Sequence, residues 1–185
     1  ERSIIIVKQL EDGEDYSDMD KLAHAILDTL GFGLENDSLI AYGTIVSELK
    51  EVSRSYKEAR MALDVGKIFF GERDVIAYSS LGIGRLIYQL PMSLCEMFIR
   101  EVFGDEVPQI LDDEEAMSTI SKFFENNLNI SETARQLYVH RNTLVYRLER
   151  IEKAIGLDIR TFDDAMIFKI ATMGLAHIKD SRQGR

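Results

Sequence analysis

Nine side chains between positions 131 and 150 stand out for the chemistry they can do: Ser131, Arg135, His140, Arg141, Asn142, Thr143, Tyr146, Arg147 and Arg150. They are hydrogen-bond donors and cations, not a nucleophile with its base and not a metal-ligand set. An asparagine amide can bond an adenine edge through two hydrogen bonds, and a guanidinium can do the same to guanine. Hydroxyls, an imidazole and further guanidiniums suit phosphate oxygens, which set register without reading sequence. The set implies a double-stranded DNA partner read in the major groove.

Such groups act together only if helices hold them. Ser131 is a good N-cap for a short helix, and Glu132 then complements the helix dipole. Ala134 is small where two helices cross closely, and Leu137 and Val139 bracket a tight turn and point into a core. A second helix begins near Arg141. At about 100° per residue, Leu144, Leu148, Ile151 and Ile155 fall within about 60° of one another and form its buried stripe. Asn142, Thr143, Tyr146, Glu149, Arg150 and Lys153 lie opposite, and Arg141 and Arg147 flank the stripe. A recognition helix presents this kind of N-terminal half to base edges. The alternative is a helical hairpin with a solvated face. The ordered string of small, turn and polar residues favours the helix-turn-helix, centred on 129–155.

The chain of 185 residues carries a net charge of −10, which by itself argues against nucleic acid. The distribution reverses this. Residues 1–112 hold 11 basic against 21 acidic side chains, residues 113–185 hold 11 against 11, and 126–155 hold five against three. One locally basic face sits beside an acidic body, so only that face should approach DNA.

Upstream, Ser3–Lys8 reads as a short buried strand. Ser17-Asp18-Met19-Asp20 fits a capping box. A helix then runs to about Leu30, with Leu22, Ile26, Leu27 and Leu30 on one face and Gly31 or Gly33 as its stop. Leu39–Val46 is a second strand. The next helix starts at Ser47 or Ser53, turns Val52, Tyr56, Ala59 and Leu63 inward, and ends at Gly71. Val75–Tyr78 is a third strand. After that the strands stop, and Leu81–Gln89, Ser93–Phe103, Glu114–Asn126, Asn129–Leu137, Arg141–Ile155 and Asp163–Ile178 have helical spacing, with Pro91 and Pro108 as breaks. The fold class expected is an α+β N-terminal part followed by an all-α C-terminal part, changing near residue 80.

The segment Val139-His140-Arg141-Asn142-Thr143-Leu144, followed by Tyr146-Arg147-Leu148-Glu149-Arg150-Ile151, closely resembles the C-terminal helix-turn-helix of the PucR/CdaR family of bacterial transcriptional regulators. Gly156-Leu157-Asp158 and Phe162-Asp163-Asp164-Ala165 match its loop and last helix, and the Fis type of helix-turn-helix is a more distant likeness. Leu81-Gly82-Ile83-Gly84-Arg85-Leu86, Leu90-Pro91 and Arg100–Gly104 look like the family's connecting helices. Ser55–Leu63 looks like the end of its GGDEF-like domain, and Ser3–Lys8 resembles the strand after that domain's hairpin. The resemblance implies three parts: a partial GGDEF-like α/β domain at 1–80, connecting helices at 81–112 and a helix-turn-helix domain at 113–185. It also implies a degenerate cyclase-type fold used for regulation rather than catalysis, and control of catabolic or transport genes, often as an activator.

The chain opens on Glu1 and reads as a piece of something longer, so a sheet with a missing or borrowed edge strand is expected. A single helix-turn-helix grips weakly, so a homodimer on a two-fold site is expected, with a small-molecule effector acting through a region outside the chain. The alternatives are a protein-interaction module that no longer binds DNA and, less favoured, a nucleotide cyclase.

Several features mislead. Gly13-Glu14-Asp15-Tyr16 echoes a cyclase signature but follows a strand and precedes a helix, where the cyclase hairpin does the reverse. Gly66-Lys67 lacks the rest of a P-loop, and Gly71-Glu72-Arg73-Asp74 reads as a turn. Asp112-Asp113-Glu114-Glu115 reads as a cap before a helix or a solvated run. His24, His140 and His177 have no metal-ligand spacing, and no cofactor is expected. Cys95, the single cysteine, reads as a packing residue; it excludes an intramolecular disulfide and suits a reducing cytoplasm. No apolar run approaches the length of a membrane span.

Overall fold

The computed structural model describes residues 3–31, 38–71 and 73–183. Two units divide at Tyr88 and Gln89, and together they are mostly helical. Leu30's expected inward face, the possible stop at Gly33, and Glu72 of the turn at 71–74 lie outside the described residues.

In the first unit, α1 (Tyr16–Gly31) precedes β1 (Ile40–Tyr42), and α2 (Val52–Phe69) carries the chain to β2 (Val75–Ala77) and α3 (Ile83–Tyr88). The strands are parallel, with Ile40 opposite Val75, Ala41 opposite Ile76 and Tyr42 opposite Ala77. Parallel pairing needs a long crossover, which α2 supplies. The core is Ala62, Val65, Ile76 and Leu81, with Leu39, Phe69 and Tyr88 packed around it.

Four expectations fail here for physical reasons. Ser3–Lys8 is not a strand, and Ile4, Ile5, Ile6 and Val7 are between 61% and 83% exposed. A strand exists through its partner's hydrogen bonds, and among the described residues only β1 and β2 pair. The expected strands at 39–46 and 75–78 shrink to three residues each. The cap of α1 lies two residues earlier than expected. Asp15 Oδ1 accepts from the Ser17 N–H at 2.8 Å, and Asp18 Oδ2 accepts from the Asp15 N–H at 3.1 Å, so the reciprocal box is Asp15 with Asp18.

The inward face of α2 is also rotated. Tyr56 is exposed and the fully buried positions are Ala62, Val65 and Gly66. Gly66 is the cause: a Cβ there would stand 2.1 Å from Ile76 Cδ1, so the bare backbone seats the β2 side chain.

The Gly13–Tyr16 stretch is occupied with local structure. Gly13 turns the chain at φ 94°, Glu14 takes Lys8 in an ion pair, and Asp15 caps α1. The Tyr16 hydroxyl accepts from the Ile45 N–H at 3.1 Å, and Thr44 N–H donates to Glu58 at 2.9 Å.

Just before Thr44, Gly43 passes α2 closely, where a Cβ would lie 2.0 Å from the Ser55 carbonyl oxygen. Backbone cannot step aside as a side-chain tip can. Gly43→Ala is therefore expected to destabilise this unit by about 1–3 kcal/mol. Hydrogen exchange should show lost protection in β1 and α2 and unchanged protection in the second unit.

The second unit holds α4 (Met92–Phe103), α5 (Glu114–Glu125), α6 (Ile130–Gln136), α7 (Arg141–Ile155) and α8 (Phe162–Gln183). Phe168 stands edge-on to Phe103 and Phe124, each with ring centroids 6.2 Å away. Ala116, Ile120 and Phe123 of α5, Ala134 of α6 and the α7 stripe close the core around it. A smaller cluster of Cys95, Ile99 and Ile178 joins α4 to α8. Burial pushes the Cys95 thiol up, away from the thiolate form. Among the described residues no helix is long and apolar enough to cross a membrane, and no group of three or more His, Cys, Asp and Glu is placed to hold a metal ion.

Candidate nucleic-acid interface

The α6–α7 pair is built by its caps. Asn129, not Ser131, caps α6: its Oδ1 accepts from the Glu132 N–H at 3.0 Å. Ser131 sits two residues later, inside α6, and is exposed. Asparagine at 129 three residues before Glu132 was the available signal, although Glu132 turns to Arg135 and Gln136 instead of back to the cap. Buried Thr133 is satisfied by donating to the Asn129 carbonyl at 2.8 Å.

The turn closes on a left-handed residue. Val139 N–H reaches the Ala134 carbonyl at 3.0 Å and Tyr138 N–H reaches Arg135 at 3.2 Å. This bond pair ends a helix through a residue at positive φ, usually glycine. Here it is Tyr138, at φ 55°. Its ring is 96% exposed, while Leu137 and Val139 on either side pack on the core. Sequence reasoning passed over Tyr138 because neither glycine nor asparagine marks the turn. Tyr138→Gly removes left-handed strain and no buried contact, so a gain of up to about 1 kcal/mol is expected, read as increased hydrogen-exchange protection in α6 and α7.

His140 caps α7, its Nδ1 accepting from the Asn142 N–H at 3.2 Å. Gly156, left-handed at φ 77°, ends the helix. The expected stripe is buried as a block: Leu144 is 0% exposed, Leu148 and Ile151 1%, and Ile155 5%. Arg141, Asn142, Thr143 and Tyr146 are exposed at the N-terminal end, the Tyr146 ring by 67%.

The other cations are engaged. Arg135 pairs with Glu132 at 2.6 Å on α6, which holds the Glu132 carboxyl below its ordinary value. Arg147 reaches Glu115 at 2.6 Å, and Arg150 reaches Asp113 at 2.5 Å. Asp113 is also the N-cap of α5, accepting from the N–H groups of Glu115 and Ala116 at 3.0 and 3.1 Å. The Ala116 N–H, and with it Arg150, keeps its carboxyl below the usual range. These two cross-helix pairs span more than thirty residues of sequence, and nothing local announces them. Ser131, Arg135, His140, Arg141, Asn142, Thr143 and Tyr146 are all exposed along α6, the turn and the start of α7, whereas Arg147 and Arg150 are held by Glu115 and Asp113 at the start of α5.

Two family patterns match the chain. The PucR C-terminal helix-turn-helix domain covers residues 116–173, and a GGDEF-like domain covers residues 1–65. Among curated proteins, the chain is 29% identical to the purine catabolism regulatory protein of Bacillus subtilis (strain 168), over 77% of this chain and 25% of that protein. It is 28% identical to the carbohydrate diacid regulator of Escherichia coli (strain K12), over 71% of this chain and 34% of that one. It is likewise 28% identical to the DNA-binding transcriptional activator AdeR of Bacillus subtilis (strain 168), over 67% of this chain and 30% of that one. The chain therefore spans between a quarter and about a third of the length of these relatives. Two domain patterns and three regulators lead to one assignment: the chain belongs to the PucR/CdaR family of transcriptional regulators.

Proposed function

We propose that this chain is the DNA-binding part of a sequence-specific transcriptional regulator that lays α7 in the major groove. One observation carries the reading. The stripe Leu144, Leu148, Ile151 and Ile155 fixes α7 to the core, leaving Arg141, Asn142, Thr143 and Tyr146 exposed at its start. Arg141 and Asn142 read base edges. Thr143 and Tyr146 border them, Ser131 and His140 face phosphates, and Arg135, with a side chain 74% exposed, exchanges Glu132 of its own helix for a phosphate. A local charge of +2 over 126–155 makes one copy a weak binder, so two copies act as a homodimer on two half-sites. An effector acts through a region outside this chain, the protein works in the cytoplasm, and no catalytic step is assigned to it.

Selection of bound sequences from random duplex DNA tests this, with footprinting of the winners. Two related half-sites about 10 bp or a multiple apart are expected. Failure to enrich any sequence would favour a protein-interaction module instead.

A further inference from the structure

Arg147 and Arg150 stand three residues apart on α7: Arg147 flanks the buried stripe, and Arg150 lies on the outer face one turn beyond Tyr146. Two carboxylates from the first turn of α5 meet them, Glu115 on Arg147 at 2.6 Å and Asp113 on Arg150 at 2.5 Å. Asp113 does two jobs with its two oxygens: Oδ1 caps α5 and Oδ2 holds Arg150. Glu115, Arg147 and Arg150 line one small cleft with Ala116, Thr119 and Ile151. Thr119 and Ile151 are each 1% exposed, so the bridges are laid over packed core and not over a mobile loop. The Arg147 side chain is 27% exposed and that of Arg150 53%, so Arg147 is the more enclosed of the two.

We infer that Asp113 and Glu115 are specificity-determining positioning residues: they fix the setting of α7 and withhold Arg147 and Arg150 from phosphates, so that non-specific attraction stays low. The inference rests on the DNA-binding reading above. Its physical content is a trade. Each guanidinium brought to a phosphate releases counterions and strengthens binding to any duplex alike, whatever its sequence. A cation already neutralised by an adjacent carboxylate contributes little to that uniform attraction. Discrimination then depends on the base-reading end of the helix, where Arg141, whose guanidinium enters neither pair, and Asn142 are exposed.

The test uses the full chain, with a duplex recovered by selection and a random-sequence duplex, each titrated over a range of salt. Asp113→Asn with Glu115→Gln keeps an asparagine cap on α5 and frees both arginines. Tighter binding to the random duplex is expected, with a slope of log K against log salt steeper by up to about 2, and a smaller ratio between selected and random duplexes. An unchanged slope in a variant with native helix content overturns the inference. The reverse variant, Arg147→Gln with Arg150→Gln, checks it independently. Its slope should match the parent's, and a slope shallower by about 2 would mean that these arginines already grip phosphates, which also overturns it. If the parent chain binds neither duplex, the DNA-binding reading itself fails, an outcome distinct from these two.

Discussion

Arg141→Ala and Asn142→Ala should each weaken binding to a selected duplex by about 1–3 kcal/mol, on the order of five- to 150-fold. Binding to a random duplex should change far less for Asn142→Ala, because a neutral amide adds no phosphate attraction. Arg141→Ala should lose some of both, with a salt slope shallower by about 1 if its charge also meets the backbone. Neither side chain is buried, so both variants should keep the parent's helix content and its hydrogen-exchange protection. Gel mobility shifts with both duplexes measure this. Equal binding by parent and both variants would remove Arg141 and Asn142 from the reading surface.

Leu148→Ala acts on the other side of the same helix. Leu148 is 1% exposed at the centre of the α7 stripe, within the cluster that includes Phe123, Ala134 and Phe168. Truncation removes apolar area and leaves a cavity among helices that cannot close up fully, a cost of about 2–5 kcal/mol. Because the chain has two units, one midpoint is a poor readout. Hydrogen exchange should show protection falling across α5 to α8 and persisting in α2. DNA binding should fall on both duplexes together, unlike the loss in Asn142→Ala. Retained protection in α7 would contradict the placement of this side chain.

The contrast between these variants follows what the sequence made legible. The second helix of the pair was readable end to end, since four aliphatics at helical spacing and a glycine at 156 describe it locally. The turn was legible in position, with Leu137 and Val139 on the core, but not in conformation, since tyrosine gives no sign of a left-handed residue. The cap slipped from Ser131 to Asn129 because both are good capping types and only backbone geometry chooses between them.

Errors grow where partners are distant. Ile4–Val7 has strand composition but no partner strand among the described residues. The face of α2 was misjudged because the contact that sets it, Gly66 against Ile76, buries a residue with no side chain to count. The pairing of Arg147 with Glu115 and of Arg150 with Asp113 joins residues more than thirty apart, and no local pattern in the sequence carries it.

The salt dependence of binding between the full chain and a selected duplex tests the central claim most directly. A protein holding DNA through this helix pair should lose affinity linearly on a log–log plot as salt rises, with the modest slope of a few phosphate contacts. Asn142→Ala should shift that line to weaker binding without changing its slope. Absence of binding at low salt, or an affinity indifferent to both salt and Asn142, would contradict the account.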